Sequence, residues 1–460
     1  MSNPHFLDPD WWRHAVVYQV YPRSFRDSNG DGIGDLEGIV ERLDHLVDLG
    51  VDTVWVSPFF ASPQEDFGYD VSDYCGVAPE YGTLQDAERL IDEAHRRGLR
   101  VLFDLVLNHT SHQHPWFLES RSSRDNPKAD WYIWRDGRGP DGKRPPNNWR
   151  SIAEITSGWQ WAEERQQWYL ATFLPCQPDL NWRNPEVREA MFGAVRFWLE
   201  RGVDGFRLDM FGDIMKDESF ADLRFRPRLV GGIPRLWDRS PIQNTEDNVE
   251  LARELRAVCR GYDRVGDAVG TGPAAADRER LLIGEVFGKA DELRRFLADG
   301  DGLQLVFLFD FLTFRYDPRW LVDRIVEFER AFPYPSQPTY VLENHDRTRL
   351  LDRVGFDRRF LGHTRALQQP HEVRDGQRLA APRRIDARGQ QPGGDCLVAR
   401  KEHGVVDHDR AGADRGTQLG EEQRPVGAGR DRGVRGRPPP HSPPASWRCR
   451  CAGSGSATRA

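Results

Sequence analysis

With 460 residues, the chain can hold one large α/β barrel plus a smaller domain, and core size sets no limit. A net charge of -8 and an isoelectric point near 6.0 provide no basic footprint, which argues against a nucleic-acid partner. No apolar run approaches the roughly 20 residues of a membrane span. Residues 1–5 lack a basic region and an apolar core of the signal-peptide kind, so a cytoplasmic protein is expected. Cysteines at 75, 176, 259, 396, 449 and 451 have irregular spacing and form neither a zinc nor a disulfide framework. The 15 Trp and 24 Phe suit stacking on sugar faces, and they also simply fill cores.

Residues 16–22 read as a first strand. Asp27, Asn29, Asp31, Ile33 and Asp35 follow in a loop with side-chain oxygens at nearly every second position. It begins like an EF-hand loop, but Gly38 stands where a bidentate Glu is required. The residues alone leave a polar turn and a metal loop both open. Residues 36–49 carry apolar side chains at 36, 39, 43, 46 and 47, an amphipathic helix ended by Gly50. A second strand spans 52–57, and residues 62–70 form a loop containing Asp66 and Tyr69. Thr83 caps a helix with Leu84, Ala87, Leu90, Ile91 and Ala94 on one side, closed by Gly98. A third strand spans 99–107.

Between 109 and 178 periodicity fails, and Trp131, Trp134, Trp149, Trp159, Trp161 and Trp168 sit among Pro, Gly, Asn and Arg. So long a stretch is no ordinary loop; it predicts a small domain leaning over the site. Asn184 and Pro185 open a helix carrying Val187, Met191, Val195, Trp198 and Leu199. In the fourth strand Val203, Phe206 and Leu208 can pack, while Arg207 and Asp209, two apart, share a face. Charges there are costly unless paired. Residues 218–245 are Arg/Pro-rich and loop-like, and 249–258 is helical. A fifth strand, 281–286, carries Glu285; a sixth spans 304–310, a helix 319–331, and a seventh strand 339–342 runs into His345 and Asp346.

An ion pair at one strand end has a bland explanation. Four strand-like runs that each end in acids or histidines indicate a parallel barrel with its site at the strand C-termini. Residues 104–109, 205–209, Glu285 and His345-Asp346 resemble the four signature regions of the α-amylase family of glycoside hydrolases, in that family's order. The resemblance runs from about residue 12 to about 354, and Gln177 to Asn181 resembles its oligo-1,6-glucosidase side.

The resemblance implies a (β/α)8 TIM-type barrel over 1–108 and 179–355, here lacking its eighth unit, with a small inserted domain over 109–178. It implies that Asp209 forms a glycosyl-enzyme, that Glu285 is the acid/base, and that Asp346 stabilises the transition state. Asp66, Tyr69, His109, Arg207 and His345 would contact or frame an oligosaccharide, with Asp104 supporting Arg207. Asp27, Asn29, Asp31 and Asp35 through side chains, and Ile33 through its carbonyl, would hold a structural Ca2+ or Mg2+ with no part in the chemistry; no organic cofactor is implied. Met210 matches neither residue common after the nucleophile, which leaves the linkage open. The implied reaction is retaining, exo-acting hydrolysis of terminal α-glucosidic bonds in short oligosaccharides. The alternatives are a transglycosylase, such as a trehalose- or isomaltulose-forming synthase, and an inactive truncated barrel.

Two electrostatic expectations come from the residues themselves. Arg207 should favour the charged form of Asp209, and the apolar run 281–283 should raise the affinity of Glu285 for its proton. From 356 onward Phe356, Phe360 and Trp447 are the only aromatics, and Arg, Gly, Pro, Asp and Ala dominate. That composition cannot build a core. It reads as an irregular tail of the kind produced by out-of-frame translation of a GC-rich gene.

Overall fold

Seven parallel strands pair in chain order: β1 (Val17–Val20), β2 (Thr53–Val56), β3 (Arg100–Val106), β4 (Gly205–Asp209), β5 (Leu281–Gly284), β6 (Leu305–Leu308) and β7 (Thr339–Tyr340). The computed structural model describes residues 10–152, 156–230, 233–263, 279–313 and 317–350. The expectations for residues 1–5 and for the tail 356–460 fall outside them. Between successive strands come α1 (Leu36–Asp48), α2 (Leu84–Arg96), α3 (Pro185–Leu199), α4 (Glu246–Arg260), α5 (Ala290–Arg295) and α6 (Pro318–Ala331). Among the described residues no helix is long and apolar enough to cross a membrane.

Strand alternation divides the core in two. Val54, Val56, Val101, Phe103, Leu105, Phe206, Leu208, Leu282 and Val306 pack with helix residues such as Ile39, Leu43, Leu90, Val195, Trp198 and Leu255. The opposite row, Trp55, Leu102, Leu281, Ile283, Leu305 and Phe307, makes a separate cluster inside the curve of the sheet, with Trp11 and Trp12 packed against it. Successive side chains of a strand face opposite ways, so each inner row continues two residues at a time. Leu102 leads to Asp104, Gly205 to Arg207 and Asp209, and Leu281 to Ile283 and Glu285. The interior is therefore apolar at the strand N-termini and charged at the C-termini.

Gly205 makes that inner row possible. Its φ is +151°, and a Cβ placed on it would meet the Leu281 carbonyl oxygen at 2.0 Å. Any side chain here would push β4 and β5 apart. The close pairing keeps Arg207 opposite Asp104 on one side and Ile283 on the other.

The stretch 109–178 contains a helix (Pro115–Ser122) and an antiparallel sheet of Trp134–Arg135, Gln167–Leu170 and Trp159–Ala162. Its aromatics divide between two cores. Phe117, Trp131, Tyr132 and Trp134 join the main helix–strand cluster. Ile133, Trp149, Trp159 and Leu170 gather with Leu223 and Ile242 from the segment after β4.

Residues 218–245, expected as loop, contain an antiparallel hairpin, Phe225–Val230 with Ile233–Trp237. Its pairing slips between Phe225 and Arg228, where Pro227 has no N–H for the ladder, and that break hides the period-two signal. Helix α4 begins three residues before the expected 249, because the polar Glu246, Asp247 and Asn248 form its first turn. Strand β7 stops two residues short of the expected 342.

Candidate active site

Arg207 is the hub on which the strand ends converge. Its Nη1 donates to Asp104 Oδ1 and to Asp209 Oδ1, each at 2.8 Å, and its Nη2 donates to Glu285 Oε2. All four residues are buried. The arrangement follows from register: Asp104 pairs with Arg207 and Val106 with Asp209, while Arg207 pairs with Ile283. Two residues on, Asp209 and Glu285 stand side by side. The Arg207 guanidinium lies 5.0 Å from the ring centroid of Trp55 and 5.8 Å from that of Tyr69.

Three carboxylates share this one guanidinium, and burial dominates the titration of Asp104 and Asp209. Asp104 is pushed up to about 6 by burial, against the pull of Arg207. Asp209 is likewise raised well above the usual carboxylate range by burial, with Glu285 and Asp104 adding repulsion. Arg207 favours the charged form of Asp209 as expected, but burial outweighs that pull. A cation divided three ways does not repay the desolvation of Asp104 or Asp209. Glu285 is buried, and its Oε2 accepts from Arg207 and, at 3.3 Å, from the Met210 N–H. Met210 turns that N–H inward by adopting a left-handed conformation (φ 40°, ψ 43°), uncommon for a residue other than glycine. Such backbone outliers gather at functional sites.

Tyr69, His345 and Asp346 adjoin the hub. Tyr69 OH lies 3.3 Å from Asp104 Oδ2 and 3.0 Å from His345 Nε2, and the two rings are stacked. Asp346, half exposed, has Oδ1 3.4 Å from His345 Nε2 and Oδ2 3.3 Å from Asn344 Nδ2. The loop bearing Tyr69 is held by pairing of Phe60–Ala61 with Asp73–Val77. Asp66, on the same loop, accepts from Gln177 Nε2 at 2.9 Å, which ties it to the segment that leaves the inserted stretch. His109 is buried beside Asn108 and Phe173. Burial pushes its imidazole down to about 4, so it is neutral at ordinary pH.

Sequence reasoning passes over Gln19, Trp55 and Lys216. Trp55 Nε1 donates to Asp104 Oδ2 at 3.1 Å, and Gln19 reaches Ser57 and His345. Lys216, buried, donates to Asn108 Oδ1 at 2.6 Å and pairs with Asp179 Oδ2 at 2.7 Å. It thereby joins the end of β3, the exit of the inserted stretch and the segment after β4. For Gln19 a signal exists: a polar side chain two residues from Val17 occupies the inward row of β1.

The loop 27–35 forms a group of its own. Asp27 accepts backbone N–H bonds from Asn29, Gly30 and Gly32, Asn29 from Asp31, and Asp31 from Ile33. Asp35 caps α1 through Gly38 and accepts from Ser28. Among the described residues no three His, Cys, Asp or Glu side chains are gathered as a metal group. The donor chemistry nevertheless fits a hard cation: every donor is oxygen, and carboxylates that accept backbone bonds retain lone pairs.

Seven parallel strands thus bring carboxylates, a bridging arginine and an aromatic–histidine stack together at their C-terminal ends. The alpha-amylase catalytic-domain profile matches residues 19–369, and the chain belongs to that family. It is 47% identical over 361 residues to a probable alpha-glucosidase of Rhizobium meliloti (strain 1021), covering 75% of this chain and 62% of that protein. It is 39% identical over 367 residues to an oligo-1,6-glucosidase of Parageobacillus thermoglucosidasius, covering 76% and 60%. The crystal structure of an alpha-glucosyl transfer enzyme, XgtA, is similar with a TM-score of 0.66 at 40% identity, covering 75% of this chain and 63% of that one. The chain thus spans about three-fifths of the length of these relatives.

Proposed function

We propose that this site is that of a retaining, exo-acting α-glucosidase that cleaves terminal α-glucosidic bonds of short oligosaccharides, acting in the cytoplasm. The observation that carries the proposal is the adjacency of Asp209 and Glu285. Strands β4 and β5 pair directly with Arg207 opposite Ile283, so the two acids follow in register on neighbouring strands. Neighbouring strands lie about 4.8 Å apart. That is close to the roughly 5–5.5 Å of a retaining pair and short of the roughly 6.5–9.5 Å that an inverting pair leaves for water.

In this reading Asp209 attacks the anomeric carbon and forms a covalent ester while Glu285 gives its proton to the leaving oxygen. Glu285 then takes a proton from water, which opens the ester on the same face and leaves configuration unchanged. Burial of Asp104 and Asp209 around one guanidinium favours keeping a proton within the group, and the mechanism requires that proton to move to Glu285 so that Asp209 can attack. Arg207 holds one oxygen of Asp209 and leaves the other for attack. Asp346, His345, Tyr69, His109 and Asp66 would bind the terminal sugar, and the loop 27–35 would hold a structural Ca2+ or Mg2+ outside the chemistry. Similarity to the glucosyl transfer enzyme favours a second reading, in which a sugar hydroxyl replaces water in the second step.

Turnover of p-nitrophenyl α-glucoside by the purified chain, removed by Asp209→Ala, tests the proposal. Incubation with maltose, isomaltose and sucrose then separates the two readings: hydrolysis gives only the two component monosaccharides of each, and new di- or trisaccharides mark transfer. Turnover that survives Asp209→Ala would remove the assignment.

A further inference from the structure

We infer that Gln19 is a positioning residue that fixes the tautomer of His345, and through it the direction of the Tyr69 hydroxyl. Its effect on turnover rests on the α-glucosidase reading; the tautomer itself does not. The His345 ring lies nearly parallel to two tyrosine rings, Tyr69 with centroids 5.6 Å apart at 9° and Tyr21 at 6.1 Å and 16°. Trp55 meets its edge at 6.3 Å. With the ring plane so confined, the remaining freedom is which nitrogen carries the proton.

The direction of the chain of hydrogen bonds is set from its carboxylate end. Ionised Asp104 only accepts, and it already takes Arg207 Nη1 on Oδ1 and Trp55 Nε1, a pure donor, on Oδ2. Tyr69 OH, 3.3 Å from Oδ2, must therefore donate to it. Its lone pair faces His345 Nε2 at 3.0 Å, so Nε2 carries the hydrogen. A neutral ring then has a bare Nδ1, and the group 2.9 Å away must be a donor: the Gln19 amide nitrogen. The second amide hydrogen goes to Ser57 Oγ at 2.8 Å. Both donors of that nitrogen are thus used, and the carboxamide orientation follows from Asp104.

A carboxamide donor at Nδ1 disfavours imidazolium, which would need an acceptor there. That matters because the sugar gains positive charge in an oxocarbenium-like transition state. A charged ring stacked on Tyr69 would oppose it. The charged groups facing the ring are Asp346 at 3.4 Å and, across Tyr69, Asp104 and Arg207. The first two pull toward imidazolium, so the donor from Gln19 acts against them.

The test uses the full chain labelled with 15N-histidine, the His345 signals being those lost in His345→Gln. Near pH 8 the parent should show a bare Nδ1 and a protonated Nε2. Gln19→Glu replaces the donor with an acceptor, and both nitrogens should stay protonated to a pH about one unit higher. In the same variant kcat on the aryl glucoside should fall about tenfold with KM little changed. Gln19→Met, which keeps the bulk without the donor, should give a mixture of tautomers at an unchanged melting temperature. A protonated Nδ1 in the parent, or a His345 in Gln19→Glu that titrates as the parent does, would overturn the inference. A chain without turnover would count against the α-glucosidase reading and leave the NMR result decisive for Gln19.

Discussion

Arg207 serves three carboxylates, and the consequence is legible in pH. The ordinary Asp value of 3.8 is raised in Asp104 to about 6, chiefly by burial. A group whose folded value lies above its unfolded one lends stability that is full below the unfolded value. That stability is lost as pH rises through the folded value. From about pH 4 to about pH 6, then, ionisation of Asp104 should work against the folded state. Asp104→Asn removes this titration, so the melting temperature of the parent should drop relative to the variant across that window. Subtracting the two curves cancels the surface carboxylates common to both. A difference that stays flat between pH 4 and 7 would show that Asp104 keeps an ordinary pKa.

Two glycines separate what β4 needs from what a helix tolerates. Gly205 is positive in φ with a carbonyl oxygen where its Cβ would go, so Gly205→Ala should cost at least about 2 kcal/mol in urea unfolding. Gly193 in α3 has open space for 4 Å around the place a methyl would take, and Gly193→Ala should stabilise by about 0.5–1 kcal/mol. Equal effects at the two sites would contradict the close strand approach at Gly205. The loop before α1 gives a third test. If it holds a cation, chelator should lower the melting temperature and added Ca2+ or Mg2+ should restore it in a concentration-dependent way. An unchanged melting temperature would leave a polar turn capped by Asp35.

These elements also show where sequence reading succeeds. Strands β3, β4 and β5 are legible because each is an apolar run whose inner row ends in an acid, and a buried acid has few uses other than pairing or chemistry. The hairpin 225–237 is not, since a proline breaks its alternation and arginines mask its faces. The electrostatics of Asp209 escape the sequence for another reason. Sequence shows that Arg207 is two residues away, but not that Asp104 and Glu285 compete for it.

At the scale of the molecule, two cores back one site. The helix–strand core fixes the outer row of each strand, and the inner cluster of Trp55, Leu102, Leu281, Ile283, Leu305 and Phe307 fills the base beneath Arg207. The described residues supply seven strands of such a sheet, and the chain covers about three-fifths of the relatives it resembles. What it shares with them is the stretch that carries Asp209 and Glu285. The central claim is that these two acids retain configuration through a covalent intermediate, and the anomer released reports on it directly. Proton NMR of the first seconds of aryl α-glucoside cleavage, where the leaving group is not a sugar, should show α-glucose appearing first, with β-glucose growing only at the rate of mutarotation. β-Glucose as the first product would mean inversion and would contradict the account.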